Sequence, residues 1–155
     1  MALIVLQSAV FILQTFPITA QFIQVTIAQV SAWFYSYFDV NVAVAENRII
    51  HTISNRYVIV DNSCTGFMLL ASVCALIVAV VKPFKLKIMM IFSAFLILQF
   101  ENIIRICHLF YEIQKPNNAF DFYHLYVWQC LNFITALIVL WGIKKVLNKE
   151  RLTYR

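Results

Sequence analysis

Long apolar runs alternate along this chain with short polar ones, at a spacing that predicts helices crossing a membrane. Residues 1–38 hold no charged side chain. At 1.5 Å per residue that run makes more than about 50 Å of helix, beyond the ~30 Å hydrocarbon core of a bilayer. Pro17 removes a helix hydrogen bond and is the expected break in it. The first span is placed at about 8–32, with Trp33, Tyr35 and Tyr37 as an aromatic belt at its exit. Three further runs at 64–81, 88–109 and 123–143 have span length, and Glu101 and Arg105 are their only charges. The stretch 39–63 differs, mixing β-branched Val42, Val44, Ile49, Ile50, Val58 and Ile59 with Asn47, Arg48 and Asn55. It predicts a short hairpin turning at Ser54-Asn55. The expected fold is one all-α integral membrane domain of about four helices, with a β-rich segment between helices 1 and 2.

Composition narrows the class. The chain has 155 residues, 63% hydrophobic and 12% charged, against about half and a quarter in soluble domains. An ordinary cytosolic protein, a disordered chain and a nucleic-acid-binding domain are therefore excluded. Two glycines and three prolines are too few for the turns of a β-barrel. The net charge of +5 comes from 12 basic and 7 acidic residues. Lys82, Lys85 and Lys87, with Lys144, Lys145, Lys149, Arg151 and Arg155 in the tail, supply most of the excess. That places the 82–87 loop and the 144–155 tail in the cytoplasm and the 39–63 and 110–122 loops outside. No basic residue precedes the first apolar run, which argues against a signal peptide.

Polar residues at membrane spans are functional candidates by default. Three clusters arise: Asp61-Asn62-Ser63-Cys64-Thr65-Gly66, Glu101-Asn102-Ile103-Ile104-Arg105, and Asp121-Phe122-Tyr123-His124. All fall at the outer face, although the sidedness rests on lysines elsewhere in the chain. A nucleophilic cysteine needs a cation or base near it. Cys64 is expected at a helix N-terminus, whose dipole favours thiolate. Thr65-Gly66 would offer backbone N–H groups to an oxyanion, His124 could transfer a proton, and Arg105 could hold negative charge. Arg105 could instead snorkel beside Glu101 at i−4.

His108 competes with His124 as the base. A Cys64–Cys107 disulfide and zinc held by Cys64, Cys107, His108 and His124 are weighed and set aside, since no close ligand spacing such as C-x-x-C occurs. No metal and no cofactor is expected. His51 reads as a surface residue, and Cys74 and Cys130 as packing. Gln7, Gln14 and Gln21 recur every seven residues and would bond between helices. Trp128 and Trp141 are expected as interfacial anchors.

At Cys64-Thr65-Gly66, Asn102-Ile103-Ile104-Arg105 and His124 the sequence resembles the exosortase/archaeosortase family of membrane cysteine transpeptidase-like proteases. The likeness runs over about 40–143. It departs where Glu101 replaces a small residue and where Trp128 and Gln129 replace a glycine after the His. Many members also have about eight spans. The resemblance implies Cys64 as nucleophile, Arg105 as its charge partner and His124 as proton-transfer residue, with Thr65, Gly66 and Asn102 binding substrate. It further implies a multi-pass enzyme of the cell (inner) membrane, with its site on the extracytoplasmic side. Its substrates would be secreted proteins ending in a short motif, a membrane helix and a basic cluster. The alternative is a non-catalytic membrane assembly or transporter subunit that keeps the fold.

Overall fold

A computed structural model of the chain describes residues 17–153 other than residue 118. Helix α1 (Pro17–Tyr35) leads to three short strands, β1 (Val42–Ala45), β2 (Arg48–His51) and β3 (Tyr57–Ile59). A 3-10 turn (Asn62–Thr65) joins them to α2 (Phe67–Val80), followed by α3 (Phe84–Gln114). One turn of helix, α4 (Phe120–Phe122), then runs through a π-helical segment (Tyr123–Val127) into α5 (Trp128–Thr153). Residues 1–16 of the expected first span, with Gln7 and Gln14, lie outside the described residues.

The α3 helix and the continuous 120–146 stretch are long and apolar enough to cross a membrane. Only 17% and 11% of their most apolar windows are buried inside the protein. Phe92, Phe100, Phe133, Ile138 and Trp141 stand exposed along them, as lipid-facing side chains do and core helices of soluble proteins do not. The α2 helix is apolar but has 14 residues, fewer than the ~20 that span a bilayer upright. It begins at Phe67, so Cys64 stands in the turn ahead of it rather than in its first helical turn.

Helix α1 meets α3 through small residues. Ala28 and Ala32 pack there with Ile106 and Phe110, and Ser31 between them is buried; small side chains let two helix backbones approach closely. The Cys107 thiol donates to the Ser31 carbonyl at 3.4 Å. A second core joins Leu70, Val73 and Ile77 of α2 to Ala94 and Leu98 of α3 and Ile143 of α5.

The strands form an antiparallel sheet in the order β1-β2-β3. The expected Asn55 turn is present, with φ 55. A second turn at Glu46-Asn47 was not expected, because a Glu at φ 56 carries no turn signature. Inward-facing Ile49 and Val58, paired across β2 and β3, join the α1–α3 core. On α1, Gln24 ties the helix to the 3-10 turn and to the β1–β2 turn. It donates to Asn62 Oδ1 at 2.9 Å and accepts from Asn47 Nδ2 at 3.3 Å, whereas Gln21 is exposed. His51 is more than a surface residue: it bonds Asp39 at 3.1 Å and Ser54 at 2.9 Å. The Asn41 backbone N–H, then its side chain and His51, hold the Asp39 carboxyl below its usual value.

Arg56 ties the sheet to the end of α3. Its Nη1 donates to the carbonyls of Ile113 at 2.7 Å and Lys115 at 2.9 Å, which the helix end leaves without intrahelical partners. Arg56→Ala is expected to destabilise the protein by about 1–2 kcal/mol, read as a lower Tm in detergent. An unchanged Tm would show that this tie does not hold the sheet.

Candidate active site

The 3-10 turn Asn62–Thr65 is capped by Asp61, whose carboxylate accepts from the Cys64 N–H at 3.0 Å. That N–H also donates to the Asp61 carbonyl at 3.0 Å. The Thr65 hydroxyl donates to the Asn62 carbonyl at 2.8 Å. Gly66 follows in the left-handed region, φ 68, and turns the chain into α2. A Cβ there would meet Asn102 at 3.7 Å, an ordinary contact. Glycine is therefore required by the backbone angle rather than by close packing.

Two cavities flank this turn. The first, about 300 Å³, is walled by β3, Asp61 and Cys64 on one side and by Phe120 and His124 on the other. Ile106, Leu109 and Ile113 of α3 form its apolar floor. The second, about 330 Å³, lies between α2, α3 and α5 and is lined by Asn62, Gly66, Glu101, Asn102, Arg105 and Asn132, among others. The three sequence clusters, far apart along the chain, thus meet around one turn.

Asn102 and Arg105 are 4% and 6% exposed. Among the described residues, Asn102 Nδ2, Arg105 Nε and His124 Nδ1 are buried with no hydrogen-bond partner. Buried polar atoms are nearly always paired, and each unpaired one costs about 1–3 kcal/mol. A fourth such atom, Ser31 Oγ, lies in the α1–α3 contact; three of the four sit on candidate residues, as groups kept ready for a ligand do. Among the described residues Glu101 and Arg105 form no ion pair within 4 Å; the Glu101 carboxyl meets Thr135 and feels the Arg105 charge at longer range.

Burial pushes the Cys64 thiol above its usual value, the Asp61 carboxylate adds to the rise, and Arg105 opposes it. The expected dipole activation is replaced by a single opposing cation, because the turn holding Cys64 is four residues long and precedes α2. Alkylation of Cys64 by iodoacetamide is therefore expected to keep rising with pH above the ordinary thiol range near ~8.5. Arg105→Ala should slow it at every pH below the plateau. A profile unmoved by Arg105→Ala would remove the electrostatic link.

His124 lies in the π segment, closed by the Trp128 N–H donating to the Tyr123 carbonyl. Its ring stacks on Phe120, centroids 5.5 Å apart and planes 6° apart. The π turn inserts an extra residue and so lets His124 face the Cys64 cavity while Trp128 packs elsewhere. Trp128 is 7% exposed and donates to His108 Nδ1 at 3.3 Å, so it is not the interfacial anchor expected. His108 is thereby committed: Nδ1 accepts from Trp128, and Nε2 faces the buried Glu112 at 3.8 Å. Glu112 in turn bonds Lys115 at 2.6 Å. Of the two candidate bases, His124 lines the cavity with Cys64, and His108 does not. Asn132 escaped the sequence reading, although a lone amide in an apolar span is a visible signal.

All four cysteines are free thiols. Among the described residues no three His, Cys, Asp or Glu side chains are grouped to hold a metal ion. The family model described as transmembrane exosortase (Exosortase_EpsH) matches residues 1–142. The chain belongs to that family, and membership implies a membrane location and the processing of sorting signals on secreted proteins. No curated protein and no solved structure matches the chain significantly.

Proposed function

We propose that this transmembrane exosortase cleaves carboxy-terminal sorting tails at the extracytoplasmic face of the cell membrane, with Cys64 as nucleophile. In this reading α1, α2, α3 and α5 cross, the 14-residue α2 where the bilayer thins locally; the sheet and the 110–122 loop lie outside, and the substrate's own membrane helix lies alongside. The supporting observation is the set of unpaired buried donors and acceptors on Asn102, Arg105 and His124 around the Cys64 turn.

The chemistry follows from those groups. The Cys64 thiol gives its proton to His124 as its sulfur bonds the scissile carbonyl carbon. The carbonyl π electrons move to oxygen; with that oxygen directed past the Cys64 turn toward the second cavity, Arg105 Nε and Asn102 Nδ2 donate to the oxyanion. Thr65 and Gly66 shape the turn rather than serving as the donors. The intermediate collapses, the C–N bond breaks, and protonated His124 gives its proton to the leaving amine. A thioester on Cys64 remains, to be taken by water or an amine acceptor.

The test uses a secreted reporter carrying a carboxy-terminal tail of short motif, membrane helix and basic cluster. A hydroxylamine-sensitive acyl adduct on Cys64 is the expected product, in membranes where an impermeant maleimide labels Cys64 from outside. Absence of the adduct while the tail is cut, or labelling only after the cytoplasmic face is opened, would overturn the reading.

A further inference from the structure

Four consecutive residues, Tyr57, Val58, Ile59 and Val60, line the wall of the Cys64 cavity and lead through Asp61 to Cys64 itself. A strand that presented its face would show alternate residues, because side chains alternate sides. A consecutive row is therefore the edge of the strand. The sheet order makes β3 an edge strand. Its partnered groups are settled by register: Val60 N–H donates to the Asn47 carbonyl, and the Arg56 carbonyl accepts from His51 N–H. In an antiparallel ladder such residues alternate with outward-facing ones. Val58, paired with Ile49, thus faces β2, and Tyr57 and Ile59 direct their N–H and C=O groups into the cavity.

Free edges accept another strand. Across the gap stand Phe120 and His124, the latter with its unpartnered Nδ1, and the floor is apolar. We infer that the β3 edge is the substrate-docking rail. An extended segment of the sorting tail adds to the sheet as a fourth strand, pairing with the main chain of Tyr57 and Ile59, which carries its scissile peptide to Cys64. Side chains on one side of that segment point to Ile106, Leu109 and Ile113, so apolar residues at alternate positions are favoured. This rests on the catalytic reading only for the identity of the occupant; the edge and its spacing from Cys64 stand by themselves.

The probe is N-acetyl-Val-Ala-Val chloromethyl ketone, used on the full chain in detergent. The Cys64 thiolate bonds the reagent's methylene carbon as chloride leaves, the thiol proton having gone to solvent. The same reagent N-methylated at its central amide, which cannot pair with the edge, should alkylate about 10-fold more slowly. Ile59→Pro, which removes an outward N–H and leaves the β2 ladder intact, should slow the parent reagent similarly. Neither change should affect iodoacetamide. Equal rates for the two peptides would overturn the rail without any variant having to fold. A rate that falls as protein concentration rises would also overturn it, by showing a second copy on the edge. Failure of tail processing with peptide discrimination intact would instead count against the catalytic reading alone.

Discussion

Cys64→Ala is expected to abolish tail processing, by roughly 10³-fold or more, and Cys64→Ser to lose nearly as much. A covalent route ends when its nucleophile is removed, and what persists reflects binding and oxyanion stabilisation alone. Serine is the sharper probe. Cys64 is 7% exposed, so alanine removes a buried sulfur and opens a small cavity, whereas serine nearly keeps the shape and replaces a thiol by a hydroxyl far harder to ionise. The His124 that would serve a thiol is ill matched to that group. Gel mobility of a tailed reporter in both variants checks the expectation. Processing within about twofold of wild type in either variant would remove Cys64 from the chemistry and favour the non-catalytic subunit.

The second large effect separates activity from stability. Arg105→Met should reduce processing by about 10²–10³-fold, the usual loss when one oxyanion donor is removed. Its Tm should hold or rise. Arg105 is 6% exposed and its Nε lacks a hydrogen-bond partner, so methionine, of similar length, removes an unpaired buried donor that costs about 1–3 kcal/mol. A residue kept for packing would show the reverse pattern, a fall in Tm with activity lost in proportion. Arg105→Lys should not restore activity, because an ammonium lacks the planar fork that places Nε. Retained processing in Arg105→Met, measured beside the Tm in the same detergent, would refute the role.

Much of the candidate site was legible because polar residues are expensive at membrane depth. Cys64, Asn102, Arg105 and His124 stood out from an apolar background, and the structure brings them around one turn. Less visible were the partners that share polar chemistry among themselves. His108 and His124 look alike in sequence, yet one is occupied by Trp128 and Glu112 and the other faces Cys64. The departure from the family pattern at Trp128 has a structural counterpart here: its indole N–H satisfies His108. A seven-residue repeat likewise reports helix phase but not what lies opposite, and of the Gln7, Gln14 and Gln21 stripe the described residues include Gln21, which is exposed. Gln24, outside the repeat, is the one that meets Asn62 and Asn47.

By itself the sequence determined the membrane class, the helical architecture and the candidate residues, because hydropathy and charge are summed locally along the chain. The extent of each element, the second hairpin turn and the choice between histidines belonged to tertiary structure. Cys64 illustrates the division. Sequence placed it at a helix start, where a dipole would activate it; the fold puts it in a buried 3-10 turn capped by Asp61, leaving Arg105 as the opposing charge. Whether a backbone N–H is free, which face a π turn presents, and which strand is an edge depend on what packs alongside, and pairings between distant residues have no local signature.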